Sequence, residues 1–133
     1  MFQSFDISTS GMQAQRVRMT AIASNLANVN TTRNAAGELQ PYRRLITLFE
    51  QGAQGPDTPG VRVSGIVQQR GPMRRVEAPH HPDAGPDGYV SFPNVDTATE
   101  MIDALEASRA FEANVTAFEA TKSMLTNALR ILA

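Results

Sequence analysis

The chain contains no cysteine, which excludes disulfide scaffolds, thiolate zinc sites, iron–sulfur clusters and a cysteine nucleophile together. It has little excess of charge: twelve Lys and Arg stand against thirteen Asp and Glu, a net −1. Nucleic acid and anionic lipid therefore find no electrostatic footprint. No apolar run approaches the ~20 residues needed to span a bilayer, so no direct membrane insertion is expected. Met1-Phe2-Gln3-Ser4-Phe5-Asp6 offers neither a basic segment nor an apolar stretch of signal-peptide length. The expectation is a protein that stays in the cytosol, or leaves it by a route needing no cleaved signal.

Catalytic signatures are missing as well. There is no phosphate-cradling Gly-rich loop, no nucleophile elbow and no paired-histidine zinc helix. The only histidines, His80 and His81, stand with Asp83 in a Pro-flanked turn, where adjacent side chains diverge and no third nitrogen ligand exists, so no metal is expected. Asp83 to Gly88 lacks the late bidentate Glu of a calcium loop and reads as a turn. Asp103, Glu106 and Glu112 read as a solvated helix face, and the Arg43-Arg44 and Arg74-Arg75 pairs as strand-surface charge that discourages edge-to-edge aggregation. Neither an enzyme nor a cofactor is expected.

What is present is sharply partitioned over the 133 residues. All eight prolines lie between Pro41 and Pro93, and eight of nine glycines between Gly37 and Gly88. Since both residues punctuate helices, the reading is helix, turn-rich middle, helix. The divisions fall at 1–32, 33–93 and 94–133. Residues 1–50 carry five Arg against three acids, and residues 94–133 six acids against Arg109, Lys122 and Arg130, so the two ends attract each other modestly.

In the first segment Ser8, Thr9 and Ser10 are predicted N-caps. Phe5, Met12, Met19 and Leu26 recur every seven residues, with Ile22 and Val29 on the neighbouring line. The helix should end near Asn28 to Thr32, because Asn and Thr compete for backbone hydrogen bonds. The last segment repeats more cleanly: Ala104, Phe111, Phe118, Leu125 and Leu132 form one heptad line, and Met101, Ser108, Val115, Lys122 and Leu129 its companion. With Asn94 and Asp96 as caps, this helix begins around residue 95 and runs roughly 55 Å, against roughly 30 Å for the first. Between them, Tyr42–Phe49 and Val61–Val67 read as strands, with Gln51 to Gly60 a mobile loop, Met73 to Glu77 a short third strand and another starting at Tyr89.

The expected fold is therefore elongated α+β. The terminal helices pair as an antiparallel coiled coil around a small β-rich hairpin or meander. About 25 Å of the longer helix overhangs its partner and leaves Leu125, Leu129 and Leu132 facing water. Apolar overhangs of this kind mark an interaction surface, and two helices make a thin core, so the expectation is that other subunits complete the packing. The rival is a β segment folded over the stripe to close a compact monomer.

Two strings then become familiar. Ser8-x-Ser10-Gly11-Met12-x-Ala14-x-x-x-Arg18-Met19-x-x-Ile22-Ala23-x-Asn25-Leu26-Ala27-Asn28-x-Asn30-Thr31 resembles the N-terminal signature of the axial proteins of the bacterial flagellum. His81-Pro82-Asp83-Ala84, Gly88-Tyr89-Val90, Pro93-Asn94-Val95-Asp96, Glu100-Met101 and Ser108-Arg109-Ala110-Phe111-Glu112-Ala113-Asn114 resemble the proximal rod proteins of that family. Phe111 stands where Tyr is common, and Pro86 is unusual before Gly88.

The resemblance implies a non-enzymatic rod subunit of the flagellar basal body, exported unfolded through the flagellar type III apparatus and polymerising in the periplasm. It implies as partners further copies of itself, proximal and distal rod subunits and the adaptor at the membrane ring. It also implies that Asn25, Asn28 and Asn30 fix register between packed helices besides ending one. The assembly surface expected from stripe and resemblance together is Met12, Met19, Ile22, Asn25, Leu26, Asn28, Val29, Asn30, Met101, Phe111, Val115, Phe118, Leu125, Leu129 and Leu132. Two other classes stay open: a soluble helical adaptor resembling an export chaperone, and a module binding anionic polymer through its arginine pairs.

Overall fold

The structure is a computed structural model and describes residues 2–55 and 57–132; the side chains of Phe2 and Leu132 lie outside the described set. The order of elements is α1 (Phe2–Ala27), β1 (Leu45–Gln51), β2 (Val61–Gln68), β3 (Arg74–Glu77), β4 (Tyr89–Phe92) and α2 (Thr97–Leu132). The α+β architecture is as expected, with helices at both ends and strands in the Pro/Gly-rich middle. The strands form two separate antiparallel pairs, β1–β2 and β3–β4, and not one meander.

The cap of α2 is the one read from sequence. Asp96 Oδ1 accepts the backbone N–H groups of Ala98 at 2.8 Å and Thr99 at 3.3 Å, filling two donors that a helix start leaves open. The start of α1 differs. It begins at Phe2, so Ser8 and Ser10 lie inside the helix and are buried. Ser10 Oγ donates to the Ile7 carbonyl at 2.8 Å and accepts the Val61 N–H at 3.2 Å, so it docks the hairpin and does not cap. At the other end, the Asn28 amide donates to the Ser24 carbonyl at 2.9 Å, while Asn28 Oδ1 accepts the Thr31 hydroxyl. That closes α1 where expected.

The helices run antiparallel. Phe5 meets Phe118 edge-on with ring centroids 4.8 Å apart, and Asn25 reaches Glu100 at the far end. With 36 residues in α2 and 26 in α1, the overhang is about 15 Å. It is shorter than expected because α1 starts early. The β1–β2 hairpin docks on α1 through Ser10 and Asn25, beside the face that meets α2. β3–β4 packs against neither helix. At Gly60 the backbone has φ +108°, and an added Cβ would stand 2.5 Å from Ser10 Oγ, so only glycine lets the hairpin tip approach α1.

Gly11 sets the separation of the two helices. A Cβ there would fall 2.7 Å from Asn114 Oδ1. Gly11→Val is expected to destabilise by about 2–3 kcal/mol through overpacking, read as a lower urea midpoint. Adding Asn114→Ala should recover most of the loss. No recovery would show that Gly11 acts elsewhere.

Candidate assembly surface

On α2 the heptad line Ala104, Phe111, Phe118 and Leu125 is half-buried, as an α1-facing line should be. Its true companion, however, is Glu100, Ala107, Asn114, Thr121 and Ala128, displaced by one residue from the line read in the sequence. Glu100, Ala107 and Thr121 are buried and Asn114 and Ala128 half-buried. Ala107 has no exposed surface. The line from sequence, Met101, Ser108, Val115, Lys122 and Leu129, flanks the contact. Ser108 and Val115 are half-buried, but Met101 and Leu129 are 56% and 58% exposed. Leu129 also lies on the overhang, beyond the start of α1. Leu132, assigned to the line of Ala104 and Leu125, has its side chain outside the described residues.

On α1, Ile22 and Asn25 are buried, Met12, Met19, Leu26, Asn28 and Val29 half-buried, and Asn30 exposed. Of the three asparagines, only Asn25 reaches the other helix. Its Nδ2 donates to Glu100 Oε2 and to the Leu45 carbonyl, each at 3.0 Å. Its Oδ1 accepts the Tyr42 hydroxyl at 3.0 Å and the Leu45 N–H at 2.8 Å. The side-chain amide thus pairs both backbone groups of the first β1 residue, as a neighbouring strand would, and every polar atom is satisfied. Asn28 serves the helix end and Asn30 faces solvent.

Glu100 is the centre of this arrangement and is fully buried. Its second oxygen accepts Arg44 Nε at 2.5 Å. Arg44 continues to Asp103 at 3.2 Å, and Arg18 joins Asp103 at 3.3 Å and Glu106 at 2.9 Å. One charged chain therefore ties α1, the entry to β1 and the start of α2. This corrects three readings: Asp103 and Glu106 are paired and not simply solvated, and Arg44 is half-buried in the clamp while only Arg43 remains at the surface. The available signal was a glutamate on a line otherwise filled by small residues.

A second polar cluster ties the β3–β4 turn to the exit of α1. Asp83 accepts the Thr32 hydroxyl on Oδ2 at 2.5 Å and the Arg33 Nε–H on Oδ1 at 2.7 Å, while the Asp83 N–H donates to His81 Nδ1 at 3.0 Å. These groups close a turn. Among the described residues no group of three or more His, Asp or Glu side chains could hold a metal ion, and no helix is long and apolar enough to cross a membrane.

The Thr32 hydroxyl, then Arg33, hold the Asp83 carboxyl below its ordinary 3.8, and desolvation opposes them. Asp87 is lowered too, by the Tyr89 N–H and then Arg75. A depressed carboxylate stabilises the fold above its unfolded value, and that contribution is lost as pH falls through the folded one. The stability difference between wild type and Asp83→Asn should therefore be full above about pH 4 and shrink below it, measured as urea midpoints from pH 6 downward. A difference constant across that range would remove Asp83 from the latch.

Comparison with known proteins falls on the same two ends. Residues 5–33 match the family model described as flagella basal body rod protein, and residues 87–131 the one described as flagellar basal body rod FlgEFG protein C-terminal. The flagellar basal-body rod protein FlgC of Bacillus subtilis is 43% identical over 98% of this chain and 97% of its own length. That of Borreliella burgdorferi is 38% identical over 99% and 97%, and that of Salmonella typhimurium 38% identical over 96% and 94%.

Proposed function

Because the chain belongs to the FlgC family of flagellar basal-body rod proteins, and is thus a structural subunit of the basal-body rod, we propose that it polymerises with other rod proteins into the proximal part of a hollow shaft that transmits torque. It resides in the flagellar basal body and assembles with other rod components. The finer reading places the helices of 1–32 and 94–133 in the axial core around the bore and the β-rich 33–93 outside it. Its neighbours are further copies, proximal and distal rod subunits and the adaptor at the membrane ring. It reaches them unfolded through the type III export apparatus, without a cleaved signal.

The observation that supports this reading is a helix pair whose outer faces are unfilled. Ile102 and Leu105 on α2 are 66% and 62% exposed, and Met124 60%, all on the side away from α1. Heterologous contacts between such faces, which do not close on themselves, generate a helical filament, and many interdigitated contacts along the axis resist twist. The adaptor reading is not favoured. Mass spectrometry of detergent-purified hook–basal-body particles tests the proposal: the chain should appear at a fixed ratio to other rod subunits. Its absence there, with recovery in a soluble low-order complex, would overturn the rod reading.

A further inference from the structure

Each helix carries a second seam that its own chain leaves open. On α1 the positions Asp6, Thr9, Gln13, Arg16, Thr20, Ala23 and Ala27 alternate in steps of three and four residues, and every one is exposed. On α2 the positions Met101, Leu105, Ser108, Glu112, Val115, Glu119 and Lys122 alternate in steps of four and three; Ser108 and Val115 are half-buried and the rest exposed. Met101, Ser108, Val115 and Lys122 belong to the companion line read from sequence, one residue round the helix from the seam that α1 occupies; Leu105, Glu112 and Glu119 complete the face. Steps of three and four are the spacing of a left-handed coiled-coil face.

We propose that these two seams are the two halves of one contact: α1 of a second copy of this chain lies antiparallel along the free seam of α2. Subunits pointing the same way along an axis present each other this antiparallel orientation, since each chain's own helices are antiparallel. This inference rests on the rod reading and specifies the partner and register of that surface.

The register follows from charge and size. Set antiparallel, the seams match level for level when Asp6 faces Lys122 and Arg16 faces Glu112, and the same register places Thr20 at Ser108, Ala23 at Leu105 and Ala27 at Met101. Opposite charges meet at two of the three levels that carry charge, and at the third Glu119 faces the Thr9 hydroxyl. The two large apolar residues meet the two alanines, so knobs face room. Among the described residues none of Asp6, Arg16, Glu112 and Lys122 has an ion-pair partner within its own chain. The Thr20 hydroxyl is already bonded to the Arg16 carbonyl at 3.0 Å, which leaves its methyl group for the contact. A slip of one heptad in either direction sets Asp6 against Leu129 or Val115 and leaves at most one charge pair. The neighbour's α1 then sits about one helical turn further along α2 than the chain's own α1, since the matched levels run past the Asn25–Glu100 and Phe5–Phe118 pairings.

The absence of native cysteine makes the test direct. Cells producing Thr20→Cys and Ser108→Cys chains together, in a strain lacking the wild type, are used to purify basal bodies, which are then oxidised. A disulfide-linked dimer of this chain is expected, with a yield about tenfold above the out-of-register combination of Thr20→Cys with Met101→Cys, because a disulfide requires Cα atoms within about 7 Å. Particles that contain the chain but give no dimer, or give equal yields in both combinations, overturn the register. An adduct of Thr20→Cys with a different rod protein overturns the choice of a second copy. Particles purified from wild-type cells that do not contain this chain would instead refute the rod reading itself. Charge reversal gives an independent readout that needs no oxidation. Asp6→Lys and Lys122→Asp should each lower incorporation by about two- to fivefold, the scale of an exposed pair, and the two together should restore it. Losses that simply add in the double variant would overturn the pairing.

Discussion

Glu100→Ala is expected to lower stability by about 3 kcal/mol or more, because it leaves the Arg44 guanidinium and the Asn25 amide without their shared partner in a buried setting. Arg44 keeps Asp103 and about a fifth of its side-chain surface, which holds the cost toward the lower end of the range for broken buried pairs. Glu100→Gln retains a hydrogen-bonding group for Asn25 and should lose less. Urea unfolding followed by circular dichroism gives the values, with Arg44→Ala and the double variant completing a cycle. A coupling within 0.3 kcal/mol of zero, about the scatter for independent sites, would mean that the clamp does not act as one unit. Replacing the pair together by apolar residues need not be as damaging, since a buried ion pair is weak evidence of net stabilisation. Its value here is geometric, in fixing where α1, β1 and α2 meet.

Phe118→Asp should abolish incorporation into basal bodies. The ring packs edge-on against Phe5, so a carboxylate there is set against an apolar ring and an aromatic contact is lost as well. Loss of a fully buried phenylalanine costs about 3–5 kcal/mol; half-buried Phe118 loses less from packing alone, and placing a charge against the Phe5 ring adds to it. Motility in soft agar and subunit content of purified particles both report the outcome. Phe118→Leu, which keeps the apolar volume, should assemble. Wild-type incorporation of the aspartate variant would remove Phe118 from the helix contact.

The lines Ala104–Leu125 and Phe5–Leu26 were legible because large apolar residues at helical spacing declare a face. The strands were legible from β-branched runs, and the cap at Asp96 from one residue type beside a proline. The α1-facing companion line on α2 was not, because close approach at Gly11 and Ala107 favours small residues, and small residues carry no hydropathy signal. The early start of α1 was hidden because Ser10 offers the same hydroxyl to a cap or to a docking hairpin. What decides between them is the Val61 N–H, fifty-one residues away. The clamp was hidden for the same reason: Asn25 and Glu100 are seventy-five residues apart. Spacing within one helix reports its faces, and it says nothing of which distant polar group will arrive there.

The β3–β4 pair touches neither helix and is held by the Thr32–Arg33–Asp83 latch and by the buried Pro93 and Val95 that lead into α2. That latch is separate from the Glu100 clamp that aligns the helices, so Asp83→Asn is expected to loosen the β3–β4 turn and leave the alignment of α1 and α2 in place.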